Sequence, residues 1–224
     1  MGKIITIEGL DGSGKTTQST LLLDGLLSRG KNARLVSYPV YESDSSALVR
    51  MYLGGEFGSD PSAVNAYAAS TFYAVDRYAS FKKDWSEFYA LPDSVMITTR
   101  YTTANAIHQL AKLDREKWDG FLEWLYDFEF VKLGIPKPDL VIYLEMKTGI
   151  TEDLVRRRNR ETGQKLDIHE LDLGYIANCH KAAVYAAEKL GWKRVRCDDG
   201  TRPLSVGEIA ELINEQVTLA FDVR

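Results

Sequence analysis

Gly9-Leu10-Asp11-Gly12-Ser13-Gly14-Lys15-Thr16 fits the pattern Gly-x-x-x-x-Gly-Lys-Ser/Thr at every fixed position. Glycines in such a loop let consecutive backbone N–H groups turn inward around phosphate oxygens. Lys15 reaches the outer phosphates, and the Thr16 hydroxyl is placed to ligate a magnesium ion. The flanking residues agree with this reading. Lys3-Ile4-Ile5-Thr6-Ile7 is β-branched and reads as a buried strand, while Thr17 to Ser28 carries Leu21, Leu22, Leu23, Leu26 and Leu27 at helical spacing. The loop therefore opens a helix whose N-terminal dipole favours anions. The stretch predicts a nucleoside triphosphate site contacted by Gly9, Leu10, Asp11, Gly12, Ser13, Gly14, Lys15, Thr16 and Thr17.

A chain of 224 residues, 45% hydrophobic, suffices for one large core, and no linker-like tract interrupts it. One domain over residues 1–224 is expected. No run approaches the ~18 apolar residues of a membrane span, and the N-terminus leads straight into a strand rather than a signal-peptide pattern. A soluble, cytoplasmic protein with no membrane partner is expected. Cys179 and Cys197 lack metal-type or redox-type spacing, which predicts reduced thiols and no zinc. A net charge of −4 argues against a general nucleic-acid partner, so any anionic ligand must be caught by local arginines.

Further strands are expected at Ala33 to Tyr38, Ser94 to Thr99, Leu140 to Leu144 and Lys193 to Cys197. Helices are expected over Ser46 to Leu53, Pro61 to Phe88, Thr103 to Lys112, Glu116 to Leu133, Ile150 to Arg160, Glu170 to Leu190 and Ser205 to Thr218. Strands alternating with helices predict an α/β fold: a doubly wound, five-stranded parallel sheet with helices on both faces. The third strand delivers Arg100 and Tyr101 at its C-terminal end, where ligand chemistry gathers in such sheets. Arg156-Arg157-Arg158-Asn159-Arg160 and the polar stretch after it read as a mobile basic lid at about residues 156–168. By pattern alone that run is also an ordinary solvated helix end.

Several segments, in order, resemble the thymidylate kinase family of P-loop NTPases. They are Ile7 to Gln18, Tyr38-Pro39-Val40-Tyr41, Phe72-Tyr73-Ala74-Val75-Asp76-Arg77, Arg100-Tyr101 with Asn105, Leu133-Gly134-Ile135-Pro136-Lys137-Pro138-Asp139, and the arginine run. The resemblance implies transfer of the γ-phosphoryl group of ATP to dTMP with Mg2+, in a homodimer. It places Arg100 on the acceptor phosphate, with Tyr41 near it. It also places Tyr73 stacked on thymine, Arg77 against the ring, Asn105 on its polar edge, and Asp11, His108 and Glu170 near the sugar. Without it, Tyr73 reads as core, His108 equally as a partly buried histidine, and Asp11 as a turn former.

The phosphate loop contains no arginine, so the chain is similar to members that carry catalytic cations in the lid, with Arg156 and Arg160 the candidates beside Lys15, Arg100 and Asp11. One departure stands out: Thr99 occupies the position where the family usually has a magnesium-linked aspartate. Glu8 is then the candidate outer-sphere ligand, with Thr16 the direct one. Thr99 also keeps two alternatives open, a nucleotide or deoxynucleoside kinase of different acceptor choice and a nucleotide-binding switch with impaired transfer.

Overall fold

Five short segments line up as one parallel sheet: the three central ones are almost wholly buried, the two edge ones partly exposed, and helices connect each strand to the next. In the computed structural model, which describes residues 1–162 and 172–221, the strands are β1 (Lys3–Gly9), β2 (Asn32–Ser37), β3 (Ser94–Thr99), β4 (Leu140–Glu145) and β5 (Lys193–Arg196), in the order β2-β3-β1-β4-β5. Every pairing is parallel.

Strand alternation divides the core. Ile5 and Ile7 of β1 and Ile142 and Leu144 of β4 pack with Leu22 and Leu26 of α1 (Lys15–Ser28) and Ile209 and Ile213 from the helix Val206–Phe221. Val141 and Tyr143 face the other way, onto helices that supply Ile107, Phe121, Ala183 and Ala186. Helices thus cover both faces, as the alternation of elements predicts.

Between β2 and β3 run α2 (Ala47–Leu53) and α3 (Ala66–Ser80). The expected helix from Pro61 begins later. Pro61–Ala63 forms a single 3-10 turn capped by Asp60, and α3 starts after Asn65, whose side chain accepts the N–H of Ala68 at 2.9 Å. A π-helical turn over Phe81–Trp85 then carries the chain into α4 (Ser86–Ala90). After β3 come α5 (Thr102–His108) and α6 (Trp118–Tyr126), and α6 continues as a second π-helical stretch over Asp127–Lys132. The remaining helices are α7 (Thr148–Thr162), α8 (Leu173–Leu190) and α9, the Val206–Phe221 helix. Cys179 and Cys197 are free and buried. Among the described residues, no helix is long and apolar enough to cross a membrane.

Candidate active site

The parallel register brings Ile7 opposite Thr99, so the loop leaving β1 and the residue leaving β3 emerge side by side at the carboxyl edge of the sheet. A cavity of ≈ 970 Å³ opens there. One end is the loop. Gly12 and Gly14 have φ of 83° and 88°, left-handed values that glycine adopts without Cβ strain. A Cβ on Gly12 would lie 2.6 Å from the Thr151 carbonyl of α7, so the loop and α7 are in close contact. α1 starts at Lys15 with no side-chain cap and no acidic residue in its first turn, which leaves its N-terminal N–H groups and dipole available to an anion. Asp11, Gly12, Gly14, Lys15, Thr16 and Thr17 line the cavity. Gly9, Leu10 and Ser13 do not; they are buried behind the loop, where Leu10 joins the core.

Lys15 rests on its own loop, its Nζ donating to the carbonyls of Gly9 and Leu10 at 2.9 Å each. Burial, and then the like charge of Arg100, push its ammonium down to about 8, against the pull of Asp11 and Glu8. Since phosphate binding needs the protonated amine, kcat/KM for ATP is expected to fall as pH rises through about 8, well below the range in which an ordinary lysine titrates. A pH profile that stays flat up to about pH 10 would contradict this.

Arg100 has φ 58°, a left-handed conformation rare outside glycine and asparagine, which turns it from the strand toward the cavity. Its Nη2 pairs with Asp11, its Nη1 lies 3.2 Å from His108 Nε2, and Lys15 Nζ is 3.8 Å from the same Asp11 oxygen. Burial raises the Asp11 carboxyl, but Arg100, Lys15, His108 and Arg158 outweigh it and hold the group well below the carboxylate range. Burial lowers and Asp11 raises the Arg100 guanidinium, for a net rise. His108 Nδ1 lies 3.6 Å from Cys179 Sγ.

At the other end, Tyr73 and Arg77, one turn apart on α3, line the cavity with Asn105, His108, Tyr41 and Pro39. Tyr73 meets Tyr52 edge-on at 6.5 Å. The Pro39–Ser46 segment is held by Asp76, which accepts the Val40 N–H at 2.8 Å and the Ser45 hydroxyl at 2.7 Å. Arg50 also fastens it, donating to the carbonyls of Tyr41 at 2.6 Å and Ser43 at 2.9 Å.

Glu8 and the α7 arginines are also placed differently from the sequence reading, and the structure adds Glu129 and Gln109. Glu8 is 0% exposed and off the cavity wall; its oxygens accept the Gly9 N–H at 3.1 Å and the Thr103 hydroxyl at 2.8 Å. Strand alternation points it into the α5 side, and burial raises its carboxyl against Arg100 and Lys15. From α7 the structure brings Leu154 and Arg158, one turn apart, to the cavity, whereas Arg156 and Arg160 fall on other faces of the helix. Arg77 is 1% exposed and bound by Glu129, a partner with no local sequence signal. Gln109, 0% exposed and on the cavity wall with neither amide atom bonded, was also missed; it is one residue beyond His108, where the helical pattern gives no reason to single it out. Glu170 and the lid beyond residue 162 lie outside the described residues.

A parallel sheet in this strand order, with a phosphate loop between its central strand and first helix, defines a P-loop nucleotide-binding protein of the α/β class. The chain belongs to the thymidylate kinase family, whose model matches residues 7–198. It is 30% identical over 171 residues to thymidylate kinase from Mycobacterium tuberculosis H37Rv, covering 75% of this chain and 78% of that protein. It is 32% identical over 171 residues to a probable thymidylate kinase from Pyrococcus horikoshii, covering 74% and 75%. Its fold is similar to that of thymidylate kinase from Candida albicans, with a TM-score of 0.69 over 97% of this chain and 92% of that one, at 19% identity.

Proposed function

We propose that the protein transfers the γ-phosphoryl group of ATP to dTMP, giving ADP and dTDP. The observation that carries this reading is the single cavity whose one end is the phosphate loop and whose other end presents Arg100, Tyr73, Arg77 and Asn105. Transfer between two anions is chiefly positioning and charge neutralisation. Lys15 and the N-terminus of α1 hold the donor phosphates, the Arg100 fork holds the acceptor phosphate, and Arg158 rather than Arg156 or Arg160 reaches the group in flight. Tyr73 supplies an aromatic face for the base. Among the described residues no cluster of acidic, histidine or cysteine side chains forms a metal cage. The exposed Thr16 hydroxyl on the cavity wall nevertheless fits Mg2+, an ion that keeps several waters and takes the rest of its shell from substrate phosphates. Bound there, Mg2+ would neutralise phosphate charge.

ADP release from ATP measured in parallel with dTMP, dUMP, thymidine and no acceptor tests the reading. Release confined to dTMP supports it. Release with thymidine but not dTMP replaces it with a nucleoside kinase, and ATP binding without acceptor-dependent turnover replaces it with a switch. Exposed Tyr67, Val75 and Tyr78 of α3 and Val131 support the homodimer, which sedimentation checks against a 25.2 kDa chain. The cytoplasm is the proposed location.

A further inference from the structure

Glu129 is fully buried, the one buried residue of the π-helical stretch after α6, and it does not line the cavity. Its carboxylate accepts Nε and Nη2 of Arg77 at 2.7 and 2.6 Å, the Thr102 hydroxyl at 2.9 Å and the Asn105 amide at 3.3 Å. Two of the three donor residues, Arg77 and Asn105, line the cavity, and the carboxylate fixes what each has left. Arg77 gives Glu129 the Nε edge of its fork, so the Nη1 end remains as donor. Asn105 Nδ2 is shared between Glu129 and the Ser70 carbonyl, also at 3.3 Å, so Oδ1 remains, an acceptor. A carboxylate has no proton to give, and the reverse amide orientation would set oxygen against oxygen.

We infer that Glu129 is a specificity-determining positioning residue: through Arg77 and Asn105 it sets a donor beside an acceptor at the base end of the cavity. That pair matches a pyrimidine with a carbonyl next to a ring N–H and opposes one with an amino group next to an unprotonated ring nitrogen. The inference rests on the reading of this cavity as a pyrimidine nucleotide site. The test compares kcat and KM for dTMP and dCMP, with ATP, in the wild type and in Glu129→Gln. Glutamine keeps the size but can donate, which loosens Arg77 and lets Asn105 turn over. The expected result is a rise in KM for dTMP with kcat and the KM for ATP little changed, and a fall of roughly tenfold or more in the dTMP/dCMP ratio of kcat/KM. A folded Glu129→Gln enzyme, judged by its Tm, with an unchanged ratio overturns the inference and leaves the proposed reaction standing. A wild type that does not use dTMP overturns both. If Glu129→Gln does not fold, Thr102→Val carries the test, since it removes one donor from the carboxylate and leaves its charge. A lowered ratio then sustains the inference, and an unchanged one overturns it.

Discussion

Arg100→Ala is expected to lower kcat/KM for dTMP on the order of 10³-fold, from two losses that act together. The first is the fork on the acceptor phosphate, where charge-assisted hydrogen bonds contribute about 1.5–3 kcal/mol each. The second is the fate of Asp11. Arg100 is the largest of the charges that hold its carboxyl ionised, ahead of Lys15, His108 and Arg158, and without Arg100 its negative charge faces the incoming phosphate less well neutralised, with Lys15 3.8 Å away. A double-mutant cycle separates the two. Asp11→Asn in the Arg100→Ala background is expected to recover part of the loss, while Asp11→Asn alone costs activity by freeing nothing that repels phosphate. Strictly additive effects would show that the pair does not act as a unit. Steady-state kinetics with dTMP varied at saturating ATP provide the measurement.

Lys15→Ala is expected to lower kcat by about 10²–10³-fold, the range seen when one positioned donor is removed from developing charge in a water-poor site. The fold should survive, because the ammonium bonds the carbonyls of Gly9 and Leu10 in its own loop and lies 3.8 Å from Asp11 of the same loop, so its loss is felt within the loop. Equal Tm values for the two proteins, together with single-turnover rates, check that the loss lies in chemistry. A retained kcat with weakened ATP binding alone would assign Lys15 to ground-state binding instead.

The fold was legible because its signals are local. Ile5, Ile7, Ile142 and Leu144 announce strands buried on both sides, and the helix after Lys15 is read from its leucines; all five strands fall within a residue or two of their expected limits. What was not legible depends on partners distant in sequence or on helical phase. The π-helical turns at Phe81–Trp85 and Asp127–Lys132 insert a residue into a helix whose composition stays helical, so periodicity passes over them. Glu129 acquires meaning only beside Arg77, 52 positions away. Which arginine of α7 meets the cavity is a question of phase: Leu154 fixes that face, and Arg158 shares it. Glu8, next to the loop in sequence, turned the other way because adjacent strand residues point to opposite faces of a sheet.

β1 and β3 are hydrogen-bonded neighbours, and the phosphate loop and Arg100, the proposed anchors of the two substrates, leave from their adjacent carboxyl ends. The interstrand spacing, about 4.8 Å and fixed by the backbone ladder far more stiffly than any side chain, therefore sets where the phosphate loop and Arg100 start relative to each other. The sheet works as a ruler for the reaction. Changes along α7 leave that spacing intact and should alter how often a turnover succeeds, whereas changes to the β1–β3 ladder should misalign every attempt.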